Sequence, residues 1–130
     1  MPHLVLEYSA NLEETVDVED LIKHLHEVAL QTGVFPLGGI RTRAERRDLY
    51  RIADGDPSNR FANLTARVGF GRPLEVRQKA GEHIFAAFCD YLAEAQKAFP
   101  LSISFEIQEM HEVLNFKKNN IHQILEQKNL

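Results

Sequence analysis

Cysteine occurs once, at Cys89. A disulfide within the chain is therefore impossible, and a thiolate zinc site is not expected. No apolar run approaches the ~20 residues needed to span a bilayer. No basic stretch followed by an apolar core stands at the start, so no secretory signal is expected. Positive charge is not in excess: 15 Lys and Arg face 19 Asp and Glu, for a net charge of -4. That balance gives no general pull toward nucleic acid or an anionic membrane. It still allows an anionic substrate, because a small pocket needs only two or three local arginines. The phosphate-cradling fingerprints GxGxxG and GxxxxGK[ST] are missing, as are HExxH and GxSxG. The expectation is a cytoplasmic protein without a dinucleotide, P-loop or metal-site fingerprint.

What is present is the composition of a protein that buries a core. The chain has 130 residues, 44% of them hydrophobic and 26% charged. That length suits one domain, residues 1–130. Residues 2–8 read as a strand led by a proline, which cannot donate to a ladder. Val18, Leu21, Ile22, Leu25, Val28 and Ala29 recur at helical spacing, with Asp17 as cap and Gly33 as stop. Residues 40–53 fit either a charged strand or a short helix around AERRDLY. DGDPSNR is a turn. FANLTARVG alternates, with Ala62, Leu64, Ala66 and Val68 on one face. GFGRP leads into a helical pattern over 74–97, and residues 101–107 alternate again. A short apolar helix closes the tail around Ile121, Ile124 and Leu125.

Strand, helix, strand thus occurs over 2–53 and again over 61–107. Two such units with right-handed crossovers predict a two-layer α/β arrangement, formally α+β. Four strands form one sheet, and both long helices pack on one face. The helix-free face, expected to carry apolar residues, argues for an oligomer, with the tail 110–130 reaching a neighbour or packing on its own sheet.

Few residues suggest chemistry. Pro2 directly follows Met1, and a small second residue favours removal of the methionine. Its nitrogen would then be a secondary amine, in a class that titrates near ~7.7–8.0. Burial and cationic neighbours lower such a value toward the working pH of a proton carrier. The bland alternative is a tolerated edge-strand proline. Arg41 and Arg43 follow Gly38 and Gly39, and Arg72 follows a glycine-rich loop. Guanidinium is suited to bidentate carboxylate recognition. Arg46, Arg47, Arg51, Arg67 and Arg77 read as solvated charge. The six histidines are scattered without metal-ligand spacing, and Cys89 reads as a packed thiol. Glu106 and Glu109 suggest paired structural charges.

Taken together, Pro2, Arg41 and Arg72 resemble the pattern of the tautomerase superfamily. Within it, the chain is most similar to the 5-carboxymethyl-2-hydroxymuconate isomerase family. The resemblance rests on PH-x(3)-E at the start, TGVFPLGGIRTR at 32–43, ADG at 53–55 and GR-x-LE-x-RQ-x-AG at 71–81. It continues through LSISFEI-x-E at 101–109 and NFKKNNIH at 115–122. It implies a doubled β-α-β fold and a homotrimer with no metal or cofactor. It also implies a small polycarboxylate dienol substrate and a place in homoprotocatechuate breakdown, the route from 4-hydroxyphenylacetate. By the same match Pro2 is the catalytic base, with Arg41 and Arg72 the substrate arginines. Phe35 and Phe70 are candidate pocket walls from their nearness in sequence to those arginines; core packing accounts for them equally well. Rival readings are a related tautomerase of another 2-hydroxydienoate or an arylpyruvate, and a trimeric ligand-binding protein without turnover.

Overall fold

Period-two alternation places one apolar row on each of three strands, and those rows set the architecture. The structure, a computed structural model, describes residues 2–129. Met1, whose removal frees the Pro2 nitrogen, lies outside them. The strands are β1 (His3–Ser9), β2 (Arg41–Arg47), β3 (Arg60–Val68) and β4 (Leu101–Glu109). The helices are α1 (Val18–Gln31), α2 (Leu74–Tyr91), α3 (Ala93–Ala98) and α4 (Ile121–Gln127), with 3₁₀ turns at Ala10–Glu14 and Leu37–Gly39. The sheet runs β2-β1-β3-β4. Both outer pairs are parallel and the central β1–β3 pair is antiparallel. This is the topology of two β-α-β units set side by side, as the repeat of pattern predicts.

The core forms where the apolar rows of the sheet meet α1 and α2. Leu4, Leu6 and Leu64 have no solvent exposure, nor do Leu21 and Leu25 of α1 or Ile84 and Phe88 of α2. Removing a side chain such as Phe88 would leave a cavity costing about 3–5 kcal/mol. The start of α1 follows its sequence signal: the Asp17 carboxylate accepts the Asp20 N–H at 3.2 Å, satisfying a first-turn donor. Gly33 leaves the helix at φ +73°, a conformation that costs glycine little. The Tyr91 hydroxyl donates to the Asp20 carboxylate at 2.6 Å, joining the end of α2 to the start of α1. That bond, with burial, pushes the Tyr91 hydroxyl up to about 12.

Three readings of the sequence are refined. Residues 40–53 supply a strand rather than a helix, because β2 pairs with β1 from His3↔Arg41 to Ser9↔Arg47. Its inward side is closed by α1, where His26 Nδ1 and Thr42 Oγ1 lie 2.8 Å apart. The helical pattern over 74–97 is two helices, α2 and α3, parted at Leu92. Leu92 leaves helical geometry at φ -91° and ψ 3° while its side chain stays fully buried. An apolar spacing count cannot register such a break.

The third refinement concerns the helix-free face, which is polar rather than apolar. Alternation from the observed pairing puts Glu7, Arg43, Glu45, Thr65, Arg67 and Glu106 on it. Arg47 bridges Glu7 at 2.6 Å and Glu45 at 2.7 Å across that face. Exposed apolar groups sit instead on α2, on the tail and on loops, among them Leu74, Phe85, Phe116, Leu49 and Phe70. Among the described residues no helix is long and apolar enough to cross a membrane. The helix of the tail packs on the Leu37–Gly39 turn. There Asn119 Nδ2 donates to the Gly38 carbonyl at 2.9 Å.

Candidate active site

Strand direction gathers the candidate residues at one end of the sheet. β1 and β2 begin there, while β3 and β4 end there. Pro2 stands one residue before β1 with its ring fully buried. Its carbonyl accepts the Arg41 N–H at 3.0 Å. The missing donor of a proline thus costs the ladder nothing, while its acceptor is used.

Arg41 opens β2 opposite His3. Its Nη1 donates to the Gly39 carbonyl at 3.0 Å. The preceding turn buries Gly38 and Gly39. A Cβ at Gly38 would collide with the His122 ring of α4, so the glycine here provides room for the tail.

Arg72 approaches from the loop after β3. Its guanidinium carbon lies 5.3 Å from the centroid of the Phe35 ring. Its Nη1 donates to Gly69 O and its Nη2 to Val34 O, both at 3.4 Å. Phe35 is thereby a buried wall beneath a half-buried arginine. Phe70, by contrast, stands 55% exposed.

The surroundings are cationic. Arg43 Nη1 donates to His3 Nδ1 at 3.1 Å, which needs a neutral ring with its proton on Nε2. Burial first, then Arg43, Arg41 and Arg67, hold the His3 imidazole below its ordinary value. The same surplus of positive charge disfavours a protonated amine nearby. An arrangement of this kind suits proton transfer by a neutral amine beside guanidiniums whose geometry matches carboxylates.

Two residues here carry more than their sequence context suggested. Arg77 forms an ion pair with Glu109 at 3.3 Å, both side chains only 26% exposed. Its Nε also donates to the Arg72 carbonyl at 3.0 Å. Glu109 is not paired with Glu106; its other oxygen accepts the Gly71 N–H at 3.0 Å. The spacing of Arg72 and Arg77 within GR-x-LE-x-RQ was the one available signal. A groove of about 560 Å³ between α2 and β4 is lined by Leu74, Arg77, Phe85 and Phe105 among others. Pro2, Arg41 and Arg72 do not line it.

Comparison with known proteins identifies the family. Residues 2–125 match the 5-carboxymethyl-2-hydroxymuconate isomerase family. The chain is 40% identical to a 5-carboxymethyl-2-hydroxymuconate Delta-isomerase of Escherichia coli, over 94% of this chain and 97% of that protein. A solved 5-carboxymethyl-2-hydroxymuconate isomerase from Deinococcus radiodurans R1 is 41% identical, with a TM-score of 0.88 over 95% of this chain and 92% of that one. A solved 5-carboxymethyl-2-hydroxymuconate delta-isomerase is 33% identical, again at a TM-score of 0.88, over 96% and 93% of the two chains. On sequence over nearly its whole length and on fold, this chain belongs to the 5-carboxymethyl-2-hydroxymuconate isomerase family.

Proposed function

We propose that Pro2, Arg41 and Arg72 carry out the isomerisation of 5-carboxymethyl-2-hydroxymuconate to 5-oxopent-3-ene-1,2,5-tricarboxylate. The reaction follows from family membership and belongs to the catabolism of aromatic compounds; the homoprotocatechuate route supplies such a dienol. The observation that supports the residue assignment is the shared sheet end, where the Arg41 N–H is bonded to the Pro2 carbonyl. The loop bearing Arg72 leaves β3 at that same end.

The conversion moves one proton. The 2-hydroxyl gives up its proton to the Pro2 nitrogen, and electrons shift through the diene to carbon 5. The C2–O bond becomes a carbonyl, the remaining double bond lies between carbons 3 and 4, and the proton is delivered to carbon 5. No electrons enter or leave the substrate. Negative charge passes through the C2 oxygen, so a guanidinium there stabilises the transition state more than the ground state. Arg41 suits this keto-acid end and Arg72 the distal carboxylates.

The working form is a homotrimer. Support comes from the exposed Phe70, and from Leu114 and Phe116, which are 69% and 87% exposed on the tail. Apolar groups so placed are covered in assemblies. A neighbouring subunit would also shield the half-buried Arg72 from solvent.

The test is turnover of 5-carboxymethyl-2-hydroxymuconate by protein whose N-terminal proline is confirmed by intact mass. A panel with phenylpyruvate and 2-hydroxymuconate runs beside it. Preference for the carboxymethyl substrate is expected, together with a loss of about a hundredfold in kcat/KM for Arg72→Ala, the order of one charged hydrogen-bonded contact to a substrate carboxylate. An Arg72→Ala enzyme of unchanged kcat/KM overturns the assignment of that arginine.

A further inference from the structure

We propose that Arg77 and Glu109 are positioning residues for catalysis, acting as a clamp that fixes the loop carrying Arg72. The inference rests on the reading of Arg72 as a substrate arginine. The restraints on the Arg72 head group are weak. Its two hydrogen bonds are each 3.4 Å, long for N–H···O, and the Phe35 ring is 5.3 Å away. The loop behind it is intrinsically free to turn, since Gly71 sits at φ +110° and a Cβ there would meet nothing within 4 Å.

The position of Arg72 is instead set through its main chain. On one side of the residue, Glu109 accepts the Gly71 N–H at 3.0 Å. On the other, Arg77 Nε donates to the Arg72 carbonyl at 3.0 Å. The two clamping side chains are joined to each other at 3.3 Å and are three-quarters buried. Both stand on regular elements: Arg77 on the first turn of α2 and Glu109 at the last position of β4, in register with Val68. A short flexible segment is thus tied at consecutive residues to a helix and to the sheet. Binding a carboxylate requires a guanidinium held at the right distance, and a displacement of about 1 Å can cost a hundredfold in rate. The partly shielded pair is also screened less than a surface pair would be.

The clamp predicts a specific pattern of coupling. Arg77→Ala should lower kcat/KM by about tenfold or more, the range of coupled neighbours, with unchanged secondary structure by circular dichroism. Arg77→Lys keeps the charge but not the planar fork, and should recover only part of the loss. Glu109→Gln keeps an acceptor for Gly71 and should fall between wild type and Arg77→Ala. In an Arg72→Ala background, adding Arg77→Ala should cost no more than about twofold, since the group being positioned is gone.

The outcomes separate the two readings. If Arg72→Ala is fully active, the assignment of Arg72 fails. If Arg72→Ala is impaired while Arg77→Ala and Glu109→Gln retain wild-type kcat/KM, the clamp is refuted and Arg72 stands. Losses that multiply in the double variant also refute it, because they show Arg77 acting independently. Should Arg77→Ala not fold, Glu109→Gln and Arg77→Lys, combined in the same way with Arg72→Ala, decide the matter.

Discussion

The backbone N–H of Arg41 donates to the carbonyl of Pro2 at 3.0 Å. One bond therefore joins the start of β2 to the residue ahead of β1, and holds the proline at a set place relative to the first candidate substrate arginine. Neither side chain needs to move for the two to remain together. A rigid ring with a buried body further limits where the nitrogen points.

Pro2→Ala should keep the fold, because alanine retains the carbonyl that Arg41 uses. It should lose about a hundredfold or more in kcat, the usual worth of a positioned general base. The alanine amine is less constrained and titrates differently. Steady-state kinetics from pH 5 to 9 check this, and a near-wild-type kcat throughout would sink the proline as base.

A tag or uncleaved residue ahead of Pro2 turns its nitrogen into an amide with no basic lone pair. Protein with an N-terminal tag should be folded and inactive, while protein tagged at the other end and shown by mass to start at Pro2 should be active. Equal turnover in the two preparations would exclude an amine mechanism.

Gly38→Ala should weaken the attachment of the tail, because its Cβ would collide with the His122 ring. The expected cost is about 1–3 kcal/mol, as for other overpacked sites. It should be registered as faster proteolysis within 111–129 before any loss of the core. Adding His122→Ala should restore resistance, and failure to do so would show that the glycine serves something other than ring clearance.

Stability should fall on mild acidification. Burial and three arginines lower the His3 imidazole in the folded state relative to its ordinary 6.5. Between those two values the unfolded chain binds more protons than the folded one, so stability rises with pH across that window. It is complete above about 6.5 and is lost as the pH falls toward the folded value. His3→Gln should flatten this part of a plot of urea midpoint against pH. An unchanged slope would remove His3 as its source.

Much of this structure was legible in the chain. Asp17 and Gly33 bracket α1 as cap and exit, and the alternation of residues 61–68 matches the burial of β3. These signals are local: a cap bonds three residues away, and a strand buries every second side chain. The family, the doubled β-α-β plan and the isomerase activity were readable too, because the motifs that carry them run in order along nearly the whole sequence.

Other features were not legible, and for a common reason. β2 is rich in arginine and glutamate, so its outward side resembles any charged surface segment, and only pairing with β1 identifies it. The break at Leu92 leaves the apolar spacing intact. The polarity of the open face depends on which residues the register sets side by side. Arg77 reads as surface charge until β4 brings Glu109 beside it from 32 positions along the chain. By itself the sequence determined β1, β3, β4 and α1, the two-unit order and the family. Tertiary structure alone decided which charges meet, because strand register and helix docking join residues far apart in the chain.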